Sequence, residues 1–171
     1  MKKKSTRVLA LDTSSTITGW CLFVNGKYFE SGTIDLHKQK DSDLRVKAMC
    51  LKIMKLMDGL QPTEVVVEEL TSMRNVRTVR ILTRIIGSAY NSCLVRNVSY
   101  AEIPCSTWRN IVNIKNKRRK IVKELSIARA SDLYKKYIDD NEADAINLCD
   151  AYCILKKYRK RSKGEKVYEN L

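Results

Sequence analysis

Only two prolines and six glycines interrupt the 171 residues, and there is a single histidine. So few breakers exclude a collagen-like, linker-rich or low-complexity chain. His37, alone in a polar segment, excludes a histidine-built triad or metal site. The six cysteines, at 21, 50, 93, 105, 149 and 153, form no CxxC pair and sit in apolar surroundings, so they read as free buried thiols of a reducing compartment. No stretch approaches the roughly 18 apolar residues of a spanning helix. "MKKKSTRVLALDT" starts basic, but its apolar run ends after four residues at an aspartate. That is no secretory signal, and the expected location is intracellular and cytoplasmic.

What the chain has in excess is positive charge. Lys and Arg number 33 against 19 Asp and Glu, a net +14 with a pI near 9.6. Such a balance points to a polyanionic partner, nucleic acid ahead of an anionic membrane surface. A 44% hydrophobic content at this length supports one domain with a proper core. Residues 1–160 are expected to form it, with 161–171 as a basic C-terminal tail.

The periodicity predicts a mixed α/β order. "RVLALD" (7–12), "TGWCLFV" (18–24) and "KYFESGTI" (27–34) read as three antiparallel strands, the last two joined at Asn25-Gly26. From Asp41 the period becomes helical, with Leu44, Ala48 and Leu51 on one diagonal and Met49, Ile53, Leu56 and Leu60 on the next. "EVVVEEL" (64–70) reads as a buried strand parallel to the first. A helix over 73–95, a strand over 99–104, and helices over 117–137 and 142–158 complete the order β-β-β-α-β-α-β-α-α.

Two apolar strands run into acids: "LALD" ends at Asp12 and "VVVEE" at Glu68 and Glu69. Ligands of α/β sheets gather at the carboxyl ends of parallel strands. Neighbouring strands ending this way would aim two carboxylates at one point, where a divalent cation relieves their repulsion. In "DDNEADAINLCDAY" (139–152) Asn141 can cap a helix with Asp144 reaching back as its capping box. Yet Asp144 lies within roughly 100° of Ala145, Leu148 and Tyr152 on the wheel and so faces the protein body. Oxygen-only ligation suits magnesium or manganese.

These segments together resemble the RuvC-like Holliday junction resolvases of the RNase H-like superfamily, in the short version carried by phages. "LALDTSSTITGW", "VVVEEL" and "NEADAINL" match its three acidic motifs in order across nearly the whole chain, and "IPCSTWRNIVNIKNKRRK" (103–120) is similar to its segment after the fifth strand. The resemblance implies an RNase H-like fold with a five-stranded mixed sheet of order 3-2-1-4-5 flanked by helices. It also implies a homodimer acting on branched DNA, and two Mg2+ or Mn2+ ions per site held by Asp12, Glu68 and Asp144. The family has Asp or His three residues before the last acid, where this chain has Asn141. Either Asn141 serves as a ligand, or Asp140 swings in, or the site is weakened. Glu69 could replace Glu68 only through a strand slip.

The implied reaction is symmetric phosphodiester hydrolysis of four-way junctions, with water activated between metals about 3.5–4 Å apart, leaving 5′-phosphate and 3′-hydroxyl ends. The small turn "TSST" would leave room for the backbone, with Thr13 and Ser14 available to contact phosphate. Arg74, Arg77, Arg80 and Arg84 fall within about 120° on a helical wheel as a DNA-binding stripe. Lys115, Lys117, Arg118, Arg119 and Lys120 form a second basic cluster. Family segments of this kind carry lysines near the scissile phosphate, which makes Lys115, Lys117 or Arg118 the candidate for stabilising transition-state charge, Lys117 foremost. Trp108 and Arg109 either pack or stack at the junction, and Val76, Val79, Thr83, Ile86 and Tyr90 offer a core or dimer face. Two alternatives stand beside this reading. One is a catalytically weakened branched-DNA-binding module; the other is a TsaB-like or sugar-kinase-like nucleotide binder, which the absence of clustered glycines disfavours.

Overall fold

The computed structural model describes residues 5–71, 75–115, 118–134 and 138–158. Arg74, Lys117 and the 161–171 tail lie outside them. β1 (Arg7–Asp12), β2 (Ile17–Val24) and β3 (Lys27–Asp35) form an antiparallel meander. The β2–β3 turn places Asn25 and Gly26 at φ 52° and 75°, the left-handed pair that a tight hairpin demands. β4 (Glu64–Glu68) then adds parallel to β1, and β5 (Ser99–Ile103) parallel to β4. The strand order is β3-β2-β1-β4-β5, as the resemblance implied.

Among the described residues five helices cover this sheet: α1 (Ser42–Leu60), α2 (Val76–Arg96), α3 (Cys105–Ile111), α4 (Arg119–Tyr134) and α5 (Asp140–Leu155). Strand alternation sorts them into two layers. Leu9, Leu11, Val65 and Val67 face the cluster built with Met49, Ile53, Ile85 and Ala89 of α1 and α2. Val8, Ala10 and Val66 face the cluster built with Trp108, Leu125, Ile146 and Cys149 of α3, α4 and α5. Asp12 shares the parity of Val8 and Ala10, and Glu68 that of Val66, so both acids leave the sheet on the α5 side. Glu69, one residue on, has the opposite parity and is exposed. Glu64 shares the α5 side at the other end of β4, where the hydroxyls of Tyr152 and Tyr158 donate to it at 2.6 and 2.5 Å. Among the described residues no helix is long and apolar enough to cross a membrane.

Four expectations are corrected. α3 is an additional helix, two turns long, that starts directly after Pro104. α5 is capped by Asp139, whose carboxylate accepts from the Glu142 N–H at 2.8 Å, so Asn141 lies inside the first turn and does not cap it. On α1 the buried face is Val46, Met49, Ile53 and Met57, while Leu44 and Leu51 stand exposed. On α2 the buried face is Ile85, Ala89, Ser92 and Cys93, so Val76, Thr83 and Tyr90 are open to solvent. The cysteines are free, with four of the six buried.

Candidate active site

β1 and β4 run parallel in the register Leu11↔Val67. Continued by one residue, that register sets Asp12 beside Glu68, one strand spacing of about 4.8 Å away. The turn after Asp12 is held by its own hydroxyls. Ser14 N–H donates to Thr18 Oγ1 at 3.0 Å, Thr18 Oγ1–H donates to the Ser14 carbonyl at 2.8 Å, and Thr16 N–H donates to Ser14 Oγ at 3.1 Å. Ser14 is therefore engaged in shaping the turn, through its backbone and as an acceptor at Oγ.

α5 brings the third acid. Gly19 pairs with Asp12 across β1 and β2, and a Cβ there would lie 1.9 Å from the Asn141 carbonyl oxygen. The missing side chain is what lets the first turn of α5 close on the sheet beside Asp12. Ser31 Oγ–H donates to Glu142 at 2.5 Å and ties the same turn to β3. Asp144, one turn further on, then reaches the site.

Electrostatics show the three acids together. Burial first, then the charges of Asp144 and Glu68, raise the Asp12 carboxyl from its ordinary 3.8 to about 8. Burial likewise raises Asp144, with Glu68 adding to the effect and Ser126 opposing it. Each remaining acid has a partner. Trp108 Nε1–H donates to Glu68 at 2.8 Å, Ser126 Oγ–H donates to Asp144, and Lys123 pairs with Asp140. The Lys123 hydrogen bond holds the Asp140 carboxyl below its ordinary range. Asn141 Nδ2 donates to Asp140 at 3.2 Å.

Two of these neighbours, Lys123 and Ser126, escape a reading of the sequence as site residues, whereas Trp108 and Arg109, expected to pack or stack at the junction, stand directly against the acids. Arg109 lies over the Trp108 ring at 5.0 Å, and its charge lowers the pKa of both Asp12 and Asp144. A signal existed for Trp108, since a buried indole N–H seeks an acceptor. Beside the acids opens a cleft of about 520 Å³, lined by Thr71, Cys105, Ser106, Arg109, Asn110, Ile114 and Lys115. Glu68 and Asp144 contribute to raising the Cys105 thiol to about 12, after burial. Lys115, Arg118, Arg119 and Lys120 are exposed around this end, as are Arg77, Arg80 and Arg84 on α2, where Arg84 pairs with Asp43 at 3.4 Å.

The family described as Lactococcus phage M3 protein matches residues 4–160. The chain belongs to this family. This family member is also 23% identical over 158 residues to the crossover junction endodeoxyribonuclease RuvC of Pseudothermotoga lettingae, a match covering 90% of the chain and 98% of that relative. RuvC of T. thermophilus in complex with a Holliday junction substrate has the same fold, with a TM-score of 0.71 and 15% identity over 89% of this chain and 95% of its own. The yeast mitochondrial Holliday junction resolvase Ydc2 matches at a TM-score of 0.56 and 13% identity, over 90% and 80% of the two chains. The fold of this phage-family chain is thus the RNase H-like fold of RuvC.

A divalent cation suits this donor set in kind. The groups are oxygen donors, and their mutual repulsion, visible in Asp12, is what a cation would relieve. Among the described residues, no three His, Cys, Asp or Glu side chains close on one point as they stand. A cation held by Asp144 would draw in Glu68 and Asp140, which are now turned toward Trp108 and Lys123.

Proposed function

We propose that the chain is a metal-dependent, structure-selective endonuclease that resolves four-way DNA junctions as a homodimer. The observation that carries this is the convergence of Asp12, Glu68 and Asp144, from β1, β4 and α5, on one face at one end of an RNase H-like sheet. Asp12, Glu68 and Asp144 hold the cations, with Asn141 as the fourth group and Asp140 as its substitute once freed from Lys123. Magnesium or manganese, when bound, supplies the Lewis acidity for phosphodiester hydrolysis.

The chain's own residues provide the rest. The self-bonded turn at Ser14 to Thr18 keeps the approach to Asp12 low. Arg109 and Lys115, in the cleft beside the acids, face an incoming phosphate, and Lys117 extends the same basic segment. Arg77, Arg80 and Lys120 add positive charge at this end of the molecule, with Arg84, Arg118 and Arg119 continuing it, and Arg74 joins this set by sequence alone. A symmetric dimer presents two such sites, as the two strands to be cut require. The exposed face of α2, with Val76 and Tyr90, is the surface available for it.

A labelled synthetic four-way junction, assayed beside linear duplex and flap with magnesium, manganese or chelator, tests the reading. Paired symmetric nicks confined to the junction and dependent on metal are expected. Asp12→Asn, Glu68→Gln and Asp144→Asn should each abolish them while retaining junction binding. Tight binding without cleavage in either metal would select the branched-DNA-binding module, a reading favoured by Asn141 and by the Lys123–Asp140 pair.

A further inference from the structure

We infer that Arg129, Asn147 and Ser126 form a positioning relay that fixes the Asp144 carboxylate and so sets the affinity of the site for its cation, an inference that rests on the metal-dependent reading above. The four polar residues Ser126, Arg129, Asn147 and Asp150 are each 0% exposed. They lie along the seam of α4 and α5, in rows spaced by three residues that continue through Asp144. A buried charged pair gains little over apolar packing, so stability alone does not account for this network.

Its direction is dictated by donor inventory. Arginine can only donate. Arg129 Nη1–H donates to Asn147 Oδ1 at 2.7 Å, while Nη2–H donates to Asp150 at 2.6 Å, which balances its charge. With its oxygen engaged, Asn147 turns its amide Nδ2 to α4, donating to the Ser126 carbonyl at 3.0 Å and to Ser126 Oγ at 2.8 Å. Ser126 Oγ, now an acceptor from Asn147, directs its single proton to Asp144 Oδ1. Each link removes one rotational choice from the next. The outcome is an Asp144 whose rotamer is held from behind by a hydroxyl that cannot turn away.

The other acids lack such depth of support. Glu68 is held by the Trp108 indole with the Cys105 thiol beside it, and Asp140 by Lys123, whose side chain is 44% exposed, and by the Asn141 amide, none of them backed by a further buried chain of donors such as the one behind Ser126. Asp144 is therefore the preorganised member around which the others gather. Partners behind a metal ligand typically change metal affinity or activity by about 10–100-fold when removed.

The test is isothermal titration of manganese into the full-length, DNA-free protein, wild type and Ser126→Ala, with thermal melts in chelator alongside. Ser126→Ala is expected to weaken manganese binding at least about tenfold, with junction binding in chelator unchanged. In the cleavage assay it should raise the manganese concentration at half-maximal rate by a similar factor and leave the rate at saturating metal within about threefold of wild type. Ser126→Thr, which keeps the hydroxyl, should restore most of the affinity, and Asn147→Ala should move it the same way as Ser126→Ala. If Asn147→Ala fails to fold, the two Ser126 variants decide. Wild-type binding with unchanged affinity in Ser126→Ala would overturn the relay alone. Equal losses in the alanine and threonine variants would also overturn it, because packing would then be the cause. Failure of manganese to bind the wild-type chain would overturn both the relay and the metal-dependent reading.

Discussion

Replacing Asp12 by asparagine should make the metal-free protein more stable, and increasingly so as pH rises. In the folded chain Asp12 keeps its proton up to about pH 8, whereas in the unfolded chain it releases it near 3.8. Between those values the native state holds the extra proton, so its stability falls as pH rises, by about 1.4 kcal/mol per unit for this one group. Below 3.8 both states are protonated and the contribution is constant; above about 8 both are ionised and the loss is complete. An asparagine in its place mimics the protonated acid and does not titrate. The stability gap between Asp12→Asn and wild type should therefore widen by about 4 kcal/mol from pH 5 to pH 8. Asp140, held low by Lys123, works in the opposite sense, losing stability as pH falls, but it is present in both proteins and cancels. Urea denaturation in chelator at pH 5, 6, 7 and 8 reads the effect, and magnesium should restore the wild type at pH 8 far more than the variant. Parallel pH profiles, with a gap constant to within about 1 kcal/mol, would refute the idea that Asp12 is buried among like charges.

Two further substitutions probe how the site is assembled. Gly19→Ala places a methyl 1.9 Å from the Asn141 carbonyl oxygen, forcing the first turn of α5 outward; a loss of about 2–3 kcal/mol in urea denaturation and a fall in cleavage of about 100-fold are expected, and wild-type cleavage would show that this contact does not position Asp144. Trp108→Phe keeps the ring but removes the donor to Glu68; a loss of about 1–2 kcal/mol in thermal or urea unfolding is expected, together with a higher manganese requirement, whereas an unchanged metal titration would make the indole a packing element only.

The acids themselves could be read from the chain because strand parity and the end of an apolar run are local signals. Asp12 and Glu68 each close a run of buried β residues, and Asp144 sits on the inward arc of a helix. What could not be read is what stands behind them. Trp108 and Arg109 belong to a seven-residue helix after Pro104, too short for periodicity to register. Ser126 and Lys123 act across the α4–α5 seam, a pairing that only tertiary packing decides. The start of α5 shows the same limit, since Asp139, Asp140 and Asn141 are all good capping residues. The close approach of the Asn141 carbonyl to Gly19 belongs to packing between elements and leaves no local trace. On α1, apolar residues occupy two diagonals, and the sheet selects the one through Met49 and Ile53, leaving Leu44 and Leu51 outside.

The position of α5 in chain order bears on when activity can arise. It is the last of the described elements, yet eleven of its sixteen residues are buried, and it packs against four of the five strands as well as α3 and α4. Until it docks, Val8, Ala10 and Val66 lack the larger part of their cover on that face, and Asp12 and Glu68 lack their third acid. If the proposed activity holds, a growing chain that already carries its strongly basic surface would bind polyanions before it could cut them. On the proposed reading, cleavage competence would arrive late, when one helix seals the core and brings in the third acid in the same step.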